Sequence, residues 1–298
     1  MRRVLSGMAF LGVFLTRLQA QSPDSVSPPR PDTLHEVSSV DAGRLAIVGT
    51  ATAAAITYGF VLQGSIWWKG EQSAFSFNFD RDWKYALGAD KIGHFFFPYV
   101  VAGEYSQALE WCGLDTISAL WYSAGLGLAH QTFVEIRDGF SKDQGGGYLG
   151  FSCADMGANI LGAAFPLLRQ RSEFLRQFAV KISYFPSESF QHGAHSSIID
   201  DYESTYHWLS ISPSVFLPRA LARRFPPWLH LAIGHSVKHL DGYGGGTHEL
   251  YLSIDWHLSA LPIEGAFWKT LARTLDYYHF PAPAVKVYPN IVWYGIKF

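Results

Sequence analysis

The sequence predicts an α+β fold: a bundle of about four apolar helices over residues 41–172, followed by an antiparallel β-rich half over residues 173–298. Three observations carry that expectation. Segments poor in charge run between residues 45 and 171 and are bounded by capping residues and glycines. After Phe178 the period becomes two, as where Leu252, Ile254, Trp256 and Leu258 alternate with Ser253, Asp255 and His257. Turn-forming clusters then separate the alternating runs: Pro213, Pro218, Pro226-Pro227, Gly242 to Gly246, and Pro281 to Pro283. The alternative is an outer-membrane β-barrel with a helical insert, since the chain closes on an amphipathic strand ending in Phe298.

Taken in order, residues 1–20 read as a signal peptide: Arg2 and Arg3, an apolar run from Met8 to Leu15, and Leu18-Gln19-Ala20 before Gln21. No cysteine follows that run, which excludes acylation of a processed N-terminal cysteine. Residues 21–40 carry four prolines and five serines and are expected to be a disordered leader. The first helix, 45–68, contains no charged residue and is long enough to span a bilayer or to form the centre of a soluble bundle. A short extended piece with Phe75, Phe77 and Phe79 leads to Asp80 and Asp82, either of which can cap a second helix over 83–111 with Pro98 in its interior. A third helix fits 115–137. Glycines 139, 145, 146, 147 and 150 form a flexible connection, and Ser152-x-x-Asp155 opens a fourth helix that runs to about residue 171. Strands are expected at 178–185, 206–211, 229–237, 251–258 and 290–298.

Composition narrows the function classes. Charged residues make up 16% of 298 positions, against roughly 25% in an ordinary soluble domain. With Trp 10, Tyr 15 and Phe 22, the chain suits a surface hidden in membrane lipid or against an envelope protein partner. A net charge of -2 leaves no basic excess to neutralise phosphates, which argues against nucleic acid. Cys112 and Cys153 are the only thiols; in an oxidising compartment they can pair, or they can be unpaired packing residues.

Three polar clusters interrupt the helical half. In Asp90-Lys91-x-x-His94-Phe95, the carboxylate and imidazole lie four apart on one helix face, within hydrogen-bond reach, and Glu104 falls close to the same stripe. In Glu135-x-x-Asp138-x-x-Ser141, two acids stand at a helix C-terminus, where the dipole disfavours anions, so a cation such as Lys91 or Arg137, or a proton, must compensate. In Ser152-x-x-Asp155-x-x-x-Asn159-x-x-Gly162, Asp155 and Asn159 share a face and Gly162 clears space for a neighbouring helix. Polar side chains on three apolar helices are costly to bury unless they meet, so a joint site containing Asp90, His94, Glu135, Asp138 and Asp155 is expected. Such a group can supply acid and base or hold a divalent metal, though spacing names no cofactor. The histidines of the second half, including His192-x-x-His195 and His235-x-x-x-His239, lie in strand or loop context, where that spacing does not present two ligands on one helical face.

These three motifs, in this order, resemble the YfiM-type family of predicted periplasmic lipoproteins of unknown function; more distantly they look like VanZ-like membrane proteins, over about residues 67–165. The resemblance implies an exported location, periplasmic or outer-membrane associated, with the inner membrane as the alternative, and supplies no reaction. The missing acylated cysteine departs from the first family and the β-rich half from the second. The expected role is a structural or binding one for a membrane-associated bundle with a polar Asp/His/Glu centre. The alternative is a metal-assisted hydrolase or transferase acting on lipid-linked or cell-wall phosphates, with His94 as acid or base.

Overall fold

The computed structural model describes residues 39–79, 81–143, 146–193 and 197–298. The segments expected to be a signal peptide (1–20) and a disordered leader (21–40, all but its last two residues), with Asp80, Gly145 and His195, lie outside the described residues. Helix α1 (Ala42–Ile66) starts where the Asp41 side chain accepts from Arg44 N at 3.0 Å, and it is tied to the next helix by Arg44 Nη1 donating to Trp111 O. It buries only Val48, against Leu109, Cys112 and Ala119, and leaves Leu45, Ile47, Ile56, Phe60 and Val61 exposed.

Three helices make the compact bundle: α2 (Ala89–Trp111), α3 (Thr116–Gly139) and α4 (Cys153–Arg171). Asp115 caps α3 by accepting from Ile117 N and Ser118 N, and Ser152 caps α4 by accepting from Asp155 N. Their meeting surface is lined by small residues, Ala102, Ala124 and Ala163, so the backbones approach closely. A Cβ on Gly162 would collide with Phe95 O, which makes glycine a requirement of the α2–α4 crossing. Helix α2 begins at Ala89 and not at residue 83, because Ala86, Leu87 and Gly88 all take positive φ (45°, 52° and 75°) and break the helix there. That break is held by packing: Ala86 and Ala89 bury against Val237 of the second half, with Leu87 and Leu240 beside them.

The second half is one six-stranded antiparallel sheet in sequential order: β1 (Phe178–Tyr184), β2 (Thr205–Ile211), β3 (Leu229–Lys238), β4 (Thr247–Trp256), β5 (Ala282–Tyr288) and β6 (Val292–Lys297). The fold is thus α+β as expected. The strand order does not return on itself, so the barrel alternative is not realised among the described residues. The free edge of β1 meets the segment before β5, through Ile182 N donating to Tyr277 O and His279 N donating to Ile182 O. Two elements were not anticipated. Strand β5 contains Pro283, which reads as turn punctuation but sits where the β5–β6 register shifts, a place that tolerates a missing N–H. Helix α5 (Ala266–Leu275) was also missed. Both cysteines are free, Cys112 buried and Cys153 exposed, so the possible disulfide does not form.

The sheet distributes polarity in an unusual way. One row in register across all six strands is Val180, Leu209, Ile233, Leu252, Val285 and Trp293. It faces outward, with Ile233 47%, Leu252 50% and Trp293 79% exposed. The opposite face holds Lys181, Ser210, Ser236 and Asp255, all buried, together with Trp208 and Tyr251. An ordinary one-sided sheet packs its apolar face on the core and wets its polar face; here the arrangement is reversed.

Gly162→Ala should lower the urea midpoint with little change in slope, a loss of about 1–3 kcal/mol from forcing a methyl into the α2–α4 crossing. An unchanged midpoint would contradict the packing described for that glycine.

Candidate functional site

Three elements bring the polar clusters together. The first two turns of α2 supply Asp90, Lys91 and His94, the last turns of α3 supply Glu135 and Asp138, and the N-terminal turns of α4 with its cap supply Ser152, Asp155 and Asn159. The centre is the Lys91 ammonium, 7% exposed, which lies 2.5 Å from Asp82 Oδ1, 3.0 Å from Asp90 Oδ2 and 2.8 Å from Asp155 Oδ1. Burial opposes its charge, but the carboxylates of Asp155 and Asp90 outweigh that and raise its pKa. Asp82 belongs to this centre, although the sequence suggests only a helix cap at that position. It also accepts from Ser152 Oγ at 2.7 Å.

His94 does not pair with Asp90, four residues away on the same helix. Its Nδ1 stands 3.3 Å from Asn159 Oδ1 and 3.3 Å from Glu135 Oε1, while Nε2 lies 3.9 Å from Asp155 Oδ1. Burial lowers its pKa, so the ring is neutral near pH 7. Glu135, 1% exposed, receives Ser152 N at 3.1 Å on Oε2. Desolvation first and the Asp155 charge second push its pKa up to about 9, so in the absence of a cation it holds a proton. Burial likewise pushes Asp138 up to about 7, against the hydrogen bond that Trp68 Nε1 donates to its Oδ1 at 2.6 Å. Asp90 rises to about 7 through burial and the nearby Asp155 charge.

The remaining predicted residues take different places. Ser141 is buried at the end of α3, where its hydroxyl donates to Arg137 O at 2.7 Å. Glu104 lies away from the centre: its carboxylate accepts from Thr274 of α5 at 2.6 Å and from Gln107, so it joins the bundle to the second half. The helical stripe points it toward Asp90, but a fourteen-residue offset on a proline-containing helix gives no information about what packs opposite.

Chemically, the arrangement can store protons on its acids and accept a cation beside His94, Glu135 and Asp155, whose ligand atoms lie within 4.8 Å of one another. It offers no free serine nucleophile, since Ser152 Oγ is committed to Asp82 and to the helix cap.

A second buried ionic centre sits in the sheet. Lys181 Nζ lies 2.8 Å from both Asp255 Oδ2 and Asp276 Oδ1, Ser210 Oγ donates to Asp255 at 2.6 Å, and His279 Nδ1 meets Asp255 Oδ1 at 2.9 Å. Lys181, Asp255 and His279 are all 0% exposed. No local sequence pattern marks these residues as one group. Lys181 and Asp255 were visible in sequence as single charges inside apolar alternating runs, which is the signal that could have found them.

The fold is α+β, and each half is built round a buried ionic centre. A family model described as a predicted periplasmic lipoprotein (DUF2279) matches residues 78–171, the stretch that contains the three motifs and the bundle centre. The match agrees with the leader-like N-terminus and gives the protein an exported, periplasmic or envelope-associated location. No curated protein and no solved structure matches the chain.

Lys91→Met should cost about 3–5 kcal/mol in urea denaturation by stranding three buried acids, and adding Asp155→Asn should recover part of the loss. In buffer with a chelator, stability should fall as pH rises. Glu135 and Asp138 bind protons in the folded state at pH values where the unfolded chain has lost them, so each contributes a negative slope of up to about 1.4 kcal/mol per pH unit. The window runs from the unfolded carboxylate range up to about 7 for Asp138 and about 9 for Glu135. Glu135→Gln should flatten the part of the melting-temperature profile above pH 7.

Proposed function

We propose that the protein is a membrane-associated component of the cell envelope, held against lipid by α1 and by the outward face of the sheet, with a structural or binding role for the polar centre of its bundle. The reversed polarity of the sheet carries this reading. Leu209, Ile233 and Leu252 form a continuous exposed apolar row, while Lys181 and Asp255 are wholly inside. In water that distribution leaves apolar area wet and requires charges to be desolvated; against acyl chains both choices are favourable. Helix α1 supports the same reading. Its 25 residues extend about 37 Å, more than a hydrocarbon core of about 30 Å, and it is the one described helix long and apolar enough to cross a membrane. The motif order resembles the YfiM-type family and, more distantly, VanZ-like membrane proteins, which agrees with an envelope role. The convergence of His94, Glu135 and Asp155 favours a second reading, a metal-assisted hydrolase or transferase acting on lipid-linked or cell-wall phosphates.

The test uses single cysteines carrying an environment-sensitive fluorophore on a Cys112→Ala/Cys153→Ser background, reconstituted in phosphatidylethanolamine–phosphatidylglycerol vesicles. Probes at Leu252→Cys and Ile56→Cys should shift to the blue and be several-fold less quenched by aqueous iodide than a probe at Asp241→Cys on an exposed loop. A Leu252 probe as open to iodide as the Asp241 probe would overturn lipid contact by the sheet.

A further inference from the structure

We propose that His94, Glu135 and Asp155 bind one divalent first-row cation of the zinc type at the junction of α2, α3 and α4. The inference deepens the binding role proposed for the bundle centre and is independent of how the sheet meets lipid.

The observation that points to a ligand is a buried atom without a partner. Glu135 is 1% exposed, and its Oε1 has no hydrogen-bond partner among the described residues, although it lies 3.3 Å from His94 Nδ1. A buried acceptor left empty costs about 1–3 kcal/mol, so native structures fill such positions. Asn159 Nδ2, wholly buried beside the same imidazole, also lacks a hydrogen-bond partner.

Distances permit a common ion. Zinc bonds to nitrogen and carboxylate oxygen are about 2.0–2.2 Å, so two ligands of one ion stand at most about 4.4 Å apart. The three donor atoms lie within 4.8 Å of one another, and closure needs shifts of a few tenths of an ångström. One imidazole with two carboxylates is a borderline donor set, matched to zinc and its neighbours rather than to calcium or magnesium, which take oxygen ligands. Asn159, whose Oδ1 stands 3.3 Å from His94 Nδ1, is placed to orient the ring. The His94 side chain keeps 21% exposure, which gives an ion an approach from solvent.

Charge favours the same conclusion. Lys91 contacts Asp82, Asp90 and Asp155, Glu135 and Asp138 stand at the end of α3, and Arg137 is stacked on Trp68 at the margin. Carboxylates thus outnumber the buried lysine at this centre, and a dication beside His94 adds positive charge where acids are in excess. Lys91 already contacts Asp155 Oδ1 at 2.8 Å, so binding asks Asp155 to share its carboxylate between ammonium and metal while Asp82 and Asp90 retain the lysine.

The full chain, purified in detergent and stripped with chelator, is titrated with zinc by calorimetry and with cobalt by visible absorption. One ion per chain is expected, with a cobalt spectrum of nitrogen and oxygen ligation and no thiolate band. Glu135→Gln and His94→Gln should each weaken binding by about tenfold or more, whereas Glu104→Gln should not. The half-buried His235 and exposed His248 rings, 3.0 Å apart, are an alternative place for zinc to lodge, so the double substitution His235→Gln/His248→Gln should leave the stoichiometry unchanged. Absence of binding to the unmodified chain, or binding lost only with His235 and His248, would overturn the proposal. So would unchanged affinity in a folded Glu135→Gln variant. If that variant does not fold, the cobalt spectrum of the unmodified chain still decides. Failure of these arms with protected Leu252 and Ile56 probes would refute the metal alone; failure of the probes with intact zinc binding would refute the lipid reading alone.

Discussion

A buried ammonium surrounded by carboxylates holds the helical half in register. Lys91 leaves the first turn of α2 and reaches Asp82 in the chain before that helix, its own neighbour Asp90, and Asp155 at the head of α4. Removing these groups from water is costly, and the cost is met only if every partner arrives with good geometry. The glycine at 162 lets α2 and α4 approach, the left-handed break at Ala86 and Leu87 turns the chain so that Asp82 can reach back, and the Ser152 cap fixes the N-terminus that presents Asp155.

The sheet is organised by the same device. Lys181 lies between Asp255 of β4 and Asp276 just after α5, with Ser210 and His279 completing the shell. Each half therefore buries a lysine among acids. The outside is left apolar over α1 and over the row running from Val180 to Trp293. Internal charge and an oily exterior are two aspects of one distribution, and they suit a protein whose surrounding solvent is partly hydrocarbon.

Much of the fold was legible because local rules dominate where helices are capped and strands alternate. Asp115 and Ser152 cap α3 and α4 through side-chain oxygens, as their residue types indicate. Other elements were hidden where tertiary contacts override local preference. Residues 83–88 read as helix but are turned aside by packing of Ala86 against Val237, and Pro283 reads as a turn but is absorbed at a register shift in β5. The polar centre was legible only in part. Spacing on a single helix can show that Asp90 and His94 share a face, but not that Lys91 takes Asp90 and that His94 turns to Asn159 and Glu135.

The sequence by itself determined the α+β class, the apolar helices and the residue types that had to be reconciled inside them, because periodicity, caps and charge density act within a few residues. Tertiary structure alone decided the partners: Asp82 with Lys91, Glu104 with Thr274, Asp255 with Lys181 across 74 positions of chain, and which face of the sheet turned outward. Period-two alternation is symmetric between the two faces. Only the pairing of buried charges across strands distant in sequence breaks that symmetry.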